Sequence, residues 1–177
     1  MKKRQSKSTI TDVLCTECGL CCDGTLLAEV ELVNVGDVRR VEGLGLPVDE
    51  AEELRYGIMP LPCGGLKGTR CSVYQHRPHC CRTFECGLLS RVRANEMSVE
   101  EAVRRVKDFV NRVTRLKERL ATSGVLDPEL SLHENIQTLE STSEGQSEDT
   151  LTLEALALWS GLQSAFLDGD VDGKVAL

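Results

Sequence analysis

Large rings are what this chain most lacks: it has one Trp, two Tyr and three Phe among 177 residues. A fold so poor in aromatics must find its cohesion in aliphatic packing, or in cross-links such as a bound metal or disulfides. Cysteine is missing from the whole second half, because all nine fall at or before Cys86. Whatever chemistry sulfur carries is confined to the N-terminal half. A basic excess is lacking too, since the formal net charge is -7. Neither half offers a surface that would hold a phosphate backbone, so no nucleic-acid partner is expected. No apolar run approaches the ~20 residues of a membrane span, and no membrane association is expected. Lys2, Lys3, Arg4 and Lys7 are followed by Ser8, Thr9, Thr11 and Asp12 rather than by an apolar run, which does not read as an export signal. The expected compartment is the reducing cytoplasm, where dense cysteine points to metal or redox chemistry more often than to a disulfide framework. Finally, the chain offers no acid-base pair and no glycine-rich phosphate loop, so no catalytic residue or substrate can be named.

What is present is a cluster: Cys15-Thr-Glu-Cys18-Gly-Leu-Cys21-Cys22. Cysteines separated by two residues can turn their sulfurs toward one ion, so Cys15, Cys18 and Cys21 make a three-ligand nest. Neighbouring side chains tend to point apart, so Cys22 is expected to face a second centre or to bridge to sulfurs further along. Those are Cys63, Cys71, Cys80, Cys81 and Cys86, in a stretch punctuated by Gly57, Pro60, Pro62, Gly64, Gly65, Gly68 and Pro78. Such punctuation predicts loops and short elements, and loops let ligands converge from several backbone directions.

Around this core the chain reads as follows. Residues 1–12 are polar and are expected to be a disordered tail. Residues 13–90 form the cysteine-rich domain. Within it, Thr25 to Val33 predicts a short strand, Asp37 to Glu42 a turn or two of helix, and Pro47 to Tyr56 a short solvent-facing helix. Residues 95–177 read as a helical extension of about three helices. Ser98-Val-Glu-Glu101 is a capping box opening an amphipathic helix to about Ala121, stopped at Gly124. Asp127-Pro128 predicts the start of a second helix, residues 140–150 a flexible polar linker, and Leu151 to Leu167 a third helix. The apolar stripes are expected to pack on one another or on the cysteine half, with a protein partner as the alternative. The expected fold class is therefore α+β: a small, loop-rich metal-binding domain with a short strand, followed by helices.

The run C-x2-C-x2-C-C, followed by Cys71-Ser-Val73-Tyr74-Gln-His-Arg77-Pro78-His-Cys80-Cys81-Arg82-Thr-Phe84, resembles the YkgJ-like cysteine-cluster family of zinc- or iron-chelating domains, over roughly residues 15–88. Residue by residue, the resemblance implies a metal-ligand set of Cys15, Cys18, Cys21, Cys22, Cys63, Cys71, Cys81 and Cys86. Cys80 stands one place before the matching position and looks like an addition. Eight thiolates would satisfy two four-sulfur sites, or one cluster plus four structural thiols. Zinc commonly takes paired C-x2-C knuckles, whereas three close cysteines with a distant fourth lean toward an iron-sulfur cluster. Because a four-thiolate site is anionic, Arg77 and Arg82 are expected to donate hydrogen bonds to it, while Tyr74 and Phe84 shield it from water. His76 and His79 are weaker candidates for ligands, and His133 reads as structural. The functional expectation is a metal-binding protein, with an iron-sulfur redox or protein-modifying enzyme as the alternative.

Overall fold

Helix α1 (Ile10–Cys18) places Cys15 and Cys18 on one helical segment, and a tight turn over residues 19–25 then carries Cys21 and Cys22. The structure, a computed structural model, describes residues 10–52, 54–142 and 149–167. The expected tail therefore ends sooner than Asp12, since α1 begins at Ile10; its first nine residues lie outside the described ones. The turn needs Gly19, whose φ is +73° and whose absent Cβ would stand 3.1 Å from the Thr69 Cα. Thr69 docks there by donating its hydroxyl to the Thr16 carbonyl at 2.6 Å.

A three-stranded antiparallel sheet follows, in the order β1-β3-β2. It comprises β1 (Glu29–Glu31), β2 (Asp49–Ala51) and β3 (Leu54–Pro60), with helix α2 (Val35–Gly43) between the first two. The segment expected as a helix over Pro47 to Tyr56 is thus strand. Its acidic residues suggested a solvated helical face, but β2 runs so close to β3 that a Cβ on Gly57 would lie 2.2 Å from the Asp49 carbonyl oxygen. Only glycine, at φ +73°, allows that approach. The small core under this sheet is Val30, Leu32, Val41, Leu46, Met59 and Leu61.

Short elements carry the remaining cysteines, as the glycine and proline density predicts. A two-stranded hairpin pairs β4 (Leu66–Lys67) with β5 (Arg70–Cys71). A single 3-10 turn at Tyr74–His76 leads to helix α3 (His79–Thr83) with Cys80 and Cys81, and Cys86 stands at the N-cap of helix α4 (Gly87–Arg93).

Three helices complete the described chain. Helix α5 (Val99–Ser123) starts where Ser98 accepts the Glu101 N–H at 3.1 Å and ends at Gly124 in the left-handed conformation, φ +71°. Helix α6 (Leu132–Thr142) begins later than Asp127-Pro128 implied. Its N-terminus is a reciprocal box in which Ser131 N–H donates to Glu134 at 2.8 Å and Glu134 N–H donates to the Ser131 hydroxyl at 3.2 Å. Satisfying two end donors there outweighs the proline signal, and Pro128 falls in a turn. Asp149 caps α7 (Thr150–Leu162), which continues as a wider turn to Leu167. The linker expected at 140–150 falls mainly on residues 143–148, outside the described ones.

The apolar faces of α5, α6 and α7 meet in one core with Trp159 and Phe166, and Leu20, Leu26 and Leu88 from the cysteine-rich half join it. The two halves also share ion pairs, Lys117 with Asp23 at 2.8 Å and Lys107 with Glu17 at 3.3 Å. Among the described residues no helix is long and apolar enough to cross a membrane.

Candidate metal centre

All nine cysteines are free thiols, and all nine line a single cavity of about 570 Å³. Its apolar walls come from both cores, from Leu20 and Leu88 on one side and from Leu46, Met59 and Leu61 on the other. The first run and the distant later cysteines are therefore brought together. Among the described residues, however, no three His, Cys, Asp or Glu side chains already stand as ligands about one point. Side-chain rotation would have to draw the sulfurs in.

Within the cavity the sulfurs divide. Cys18, Cys21 and Cys86 pack against the helical core, whereas Cys63, Cys80 and Cys81 pack against the sheet core. Cys63 N–H donates to the Cys22 carbonyl at 2.8 Å, which ties the end of the first run to the second group. The electrostatics follow the same division. Burial raises the Cys18 thiol to about 12, with Cys86 and Cys15 adding to the shift. Burial raises Cys21 well above its ordinary value, with Cys18 and Cys86 the foremost charged neighbours. Cys22 and Cys81 are also pushed up to about 12, first by burial, and their sulfur neighbours include Cys63 and Cys71. Cys15 and Cys86 are raised as well, chiefly by burial, with Cys86 the next cause for Cys15. Cys15 is the one exposed residue among the nine cysteines.

Several sulfurs already face the kind of donor that stabilises a thiolate. Gly65 N–H donates to the Cys63 Sγ at 3.4 Å. The backbone N–H of Leu20 lowers the pKa of Cys18, that of Val73 lowers Cys71, and those of Leu88 and Leu89 in the first turn of α4 lower Cys86. Burial wins at each of these three, leaving protonated thiols whose charged form a bound cation would favour further. In kind and number the donor set fits a thiolate-bound metal.

Arg77 is the cation of this cavity. Its guanidinium lies 3.6 Å from the centroid of the Tyr74 ring, and its Nε donates to the Tyr74 carbonyl at 3.0 Å. From there it lowers the pKa of Cys15, Cys71 and Cys81, members of both groups. Tyr74 donates its hydroxyl to Asp12, pinning the 3-10 turn to α1. Burial and that carboxylate raise the phenol to about 12. Phe84 also lines the cavity. Arg82 is exposed and is not part of the lining, and the same holds for His76 and His79.

Two positioning residues escaped the sequence reading. Asp37, 1% exposed, accepts the His79 N–H at 3.0 Å and an Arg40 hydrogen bond at 2.9 Å, so it anchors the start of the helix that carries Cys81. Asp37 to Glu42 was read as a turn or two of helix, but nothing local announced the link from Asp37 to His79. Asp12 was counted as tail.

These features define a cysteine-rich α+β domain extended by helices. The chain matches the CxxCxxCC family, described as "putative zinc- or iron-chelating domain", over residues 14–107, more than half its length, and it belongs to that family. The match runs past the cysteines into the first part of α5. No curated protein and no solved structure matches the chain. Metal binding is the property that membership supports.

Proposed function

We propose that this chain is a metal-binding protein in which Cys15, Cys18, Cys21, Cys22, Cys63, Cys71, Cys81 and Cys86 chelate zinc or iron in a reducing, cytoplasmic setting. The observation that carries the reading is the single cavity into which two cysteine-bearing ribbons, far apart in sequence, both open. A bound metal centre would supply the cross-link that the loop-rich cysteine half, with its core of six buried residues under the sheet, needs. The chain's own residues do the rest: thiolates hold the centre, Arg77 offsets their charge, and Tyr74, Phe84 and the apolar walls exclude water.

Ligand spacing favours iron as an iron-sulfur cluster over a lone zinc ion, because Cys15, Cys18 and Cys21 form a close trio with Cys86 as a distant fourth. The alternative is an iron-sulfur redox or protein-modifying enzyme. It draws support from the cavity, which is larger than one ion with bonds of ~2.3 Å requires. Anaerobic purification followed by elemental analysis for zinc, iron and acid-labile sulfide, with an absorbance spectrum, tests the set. Stoichiometric metal is the expected result, and a protein that emerges with neither metal overturns the reading. Colourless protein with stoichiometric zinc removes the iron-sulfur form and the enzyme reading together.

A further inference from the structure

We infer that the chain holds two separate four-sulfur centres, divided at the Cys21–Cys22 peptide bond: Cys15, Cys18, Cys21 and Cys86 hold one, and Cys22, Cys63, Cys71 and Cys81 hold the other. The inference rests on the proposed metal-binding reading and deepens it, because family membership supports a chelating domain but not how its sulfurs are shared out.

The argument begins with adjacency. Two consecutive side chains cannot easily turn into the same small site, so a C-C pair at the end of a run either wastes one sulfur or serves two sites. Here the two cysteines have different surroundings. Cys21 packs on the core built by α5, α6 and α7, together with Cys18 and Cys86. Cys22 is hydrogen-bonded through its carbonyl to Cys63, which belongs to the sheet core along with Cys81. The backbone assigns the other two: Cys15 lies on α1 one turn before Cys18, while Leu66 donates its N–H to the Cys63 carbonyl at 2.9 Å and pairs across the β4-β5 hairpin with Cys71. Two-cluster ferredoxins divide a run in the same manner, its last cysteine ligating the other cluster.

The partition accounts for the ninth thiol. Cys80 packs against the sheet core beside Cys81. Cys80 and Cys81 are consecutive on α3, so their side chains diverge in the way argued for Cys21 and Cys22, and with Cys81 turned to the second centre Cys80 is left out of both.

The test uses the full chain, purified anaerobically with its metal. A chelator is added in steps, freed thiols are alkylated in a short pulse, and the labels are placed by fragmenting the peptides. Two sets of four are expected, with Cys21 labelled alongside Cys86 and Cys22 alongside Cys81, while Cys80 reacts independently of chelator. Metal content in Cys86→Ser and Cys81→Ser provides the second measurement. Each variant is expected to keep half the wild-type metal, and Cys80→Ser all of it. Labelling of Cys21 and Cys22 in one set, or loss of all metal from both Cys86→Ser and Cys81→Ser, overturns the partition while leaving metal binding intact. A wild-type chain with no metal overturns both.

Discussion

The two parts of the molecule are held together by different means. Around α5, α6 and α7 fourteen buried apolar residues gather, eleven from the helical part, including the chain's one Trp, and three, Leu20, Leu26 and Leu88, from the cysteine-rich half. The sheet part has six, and its neighbours in packing include Cys63, Cys80 and Cys81. At roughly 25 cal/mol per Å² of apolar surface buried, the first core can sustain its helices, whereas the second is at the size where small folds need a staple. Sulfur faces both cores: Cys18, Cys21 and Cys86 pack against the larger one, and Cys63, Cys80 and Cys81 against the smaller. The first quartet leans on the helical core and the second hangs from short hairpins, so the same kind of ligation should matter unequally for the two.

The strongest challenge to that comparison is to remove the metal. Structural thiolate sites contribute about 10–16 kcal/mol in small domains, as much as a whole folding free energy. Chelation is expected to open residues 57–87 to protease while α5–α7 keep their helical circular dichroism. If cleavage is no faster in that stretch after metal loss, the sheet part does not depend on a metal staple. Loading should also release protons, because at neutral pH buried thiols such as Cys18, Cys22 and Cys81, all raised to about 12, must each give one up to bind.

A second challenge targets the shared cation. Arg77→Ala removes the positive charge that acts on both groups and uncovers the Tyr74 ring. A loss of about 10- to 100-fold in metal affinity is expected, the range typical for a residue that supports ligands without binding the metal. Competition against a chromophoric chelator measures it, with Arg77→Lys expected to recover part of the loss. Equal affinity in wild type and Arg77→Ala would show that the charge plays no part.

Next in size is Gly19→Ala. A residue with a Cβ at φ +73° is strained, and here the Cβ would also press on the Thr69 backbone. A loss of about 1–3 kcal/mol in unfolding free energy is expected by denaturant titration of the metal-loaded chain. An unchanged midpoint would mean that the turn can reshape, and that the register between the first run and the β4-β5 hairpin is loosely set.

How far these features could be read from the sequence follows from the range of the interactions involved. The cysteine run, the capping box at Ser98 and the stop at Gly124 are written in neighbouring residues, and the α+β class with three C-terminal helices followed from them. Side-chain direction suggested that Cys21 and Cys22 face different surroundings, but the packing of Cys21 on the helical core and the tie from the Cys22 carbonyl to Cys63 arise from distant residues. Pro47 to Tyr56 misled because its acidic residues fit an exposed helix as well as an exposed strand edge, and only pairing across to Gly57 decides between them. Arg82 stood in the right register but on the outer face of a one-turn helix, where sequence spacing cannot tell inward from outward. Asp12 and Asp37 matter through partners 62 and 42 residues away, a distance at which no local pattern speaks.

The smallest expected effect concerns the joint between the two parts, and it turns on His133. Its backbone N–H donates to the Gly24 carbonyl at 2.9 Å and its ring meets Trp159 edge-on, with centroids 5.1 Å apart, so it fastens α6 to the turn that follows Cys22. Burial lowers its pKa from 6.5, outweighing the Leu26 carbonyl, Glu134 and Glu140, all of which favour the charged ring. The folded chain thus holds this imidazole neutral at a pH where the unfolded chain takes up a proton. Stability tied to this group is complete above the unfolded value of 6.5 and is lost as pH falls through it toward the lower folded value. Melting of wild type and His133→Gln between pH 7.5 and 5.5 isolates the contribution, since every other titrating group is common to both. Wild type should lose more stability than the variant as the pH drops. A difference that stays flat, or that grows in the opposite direction, would place the joint between the two parts somewhere other than this ring.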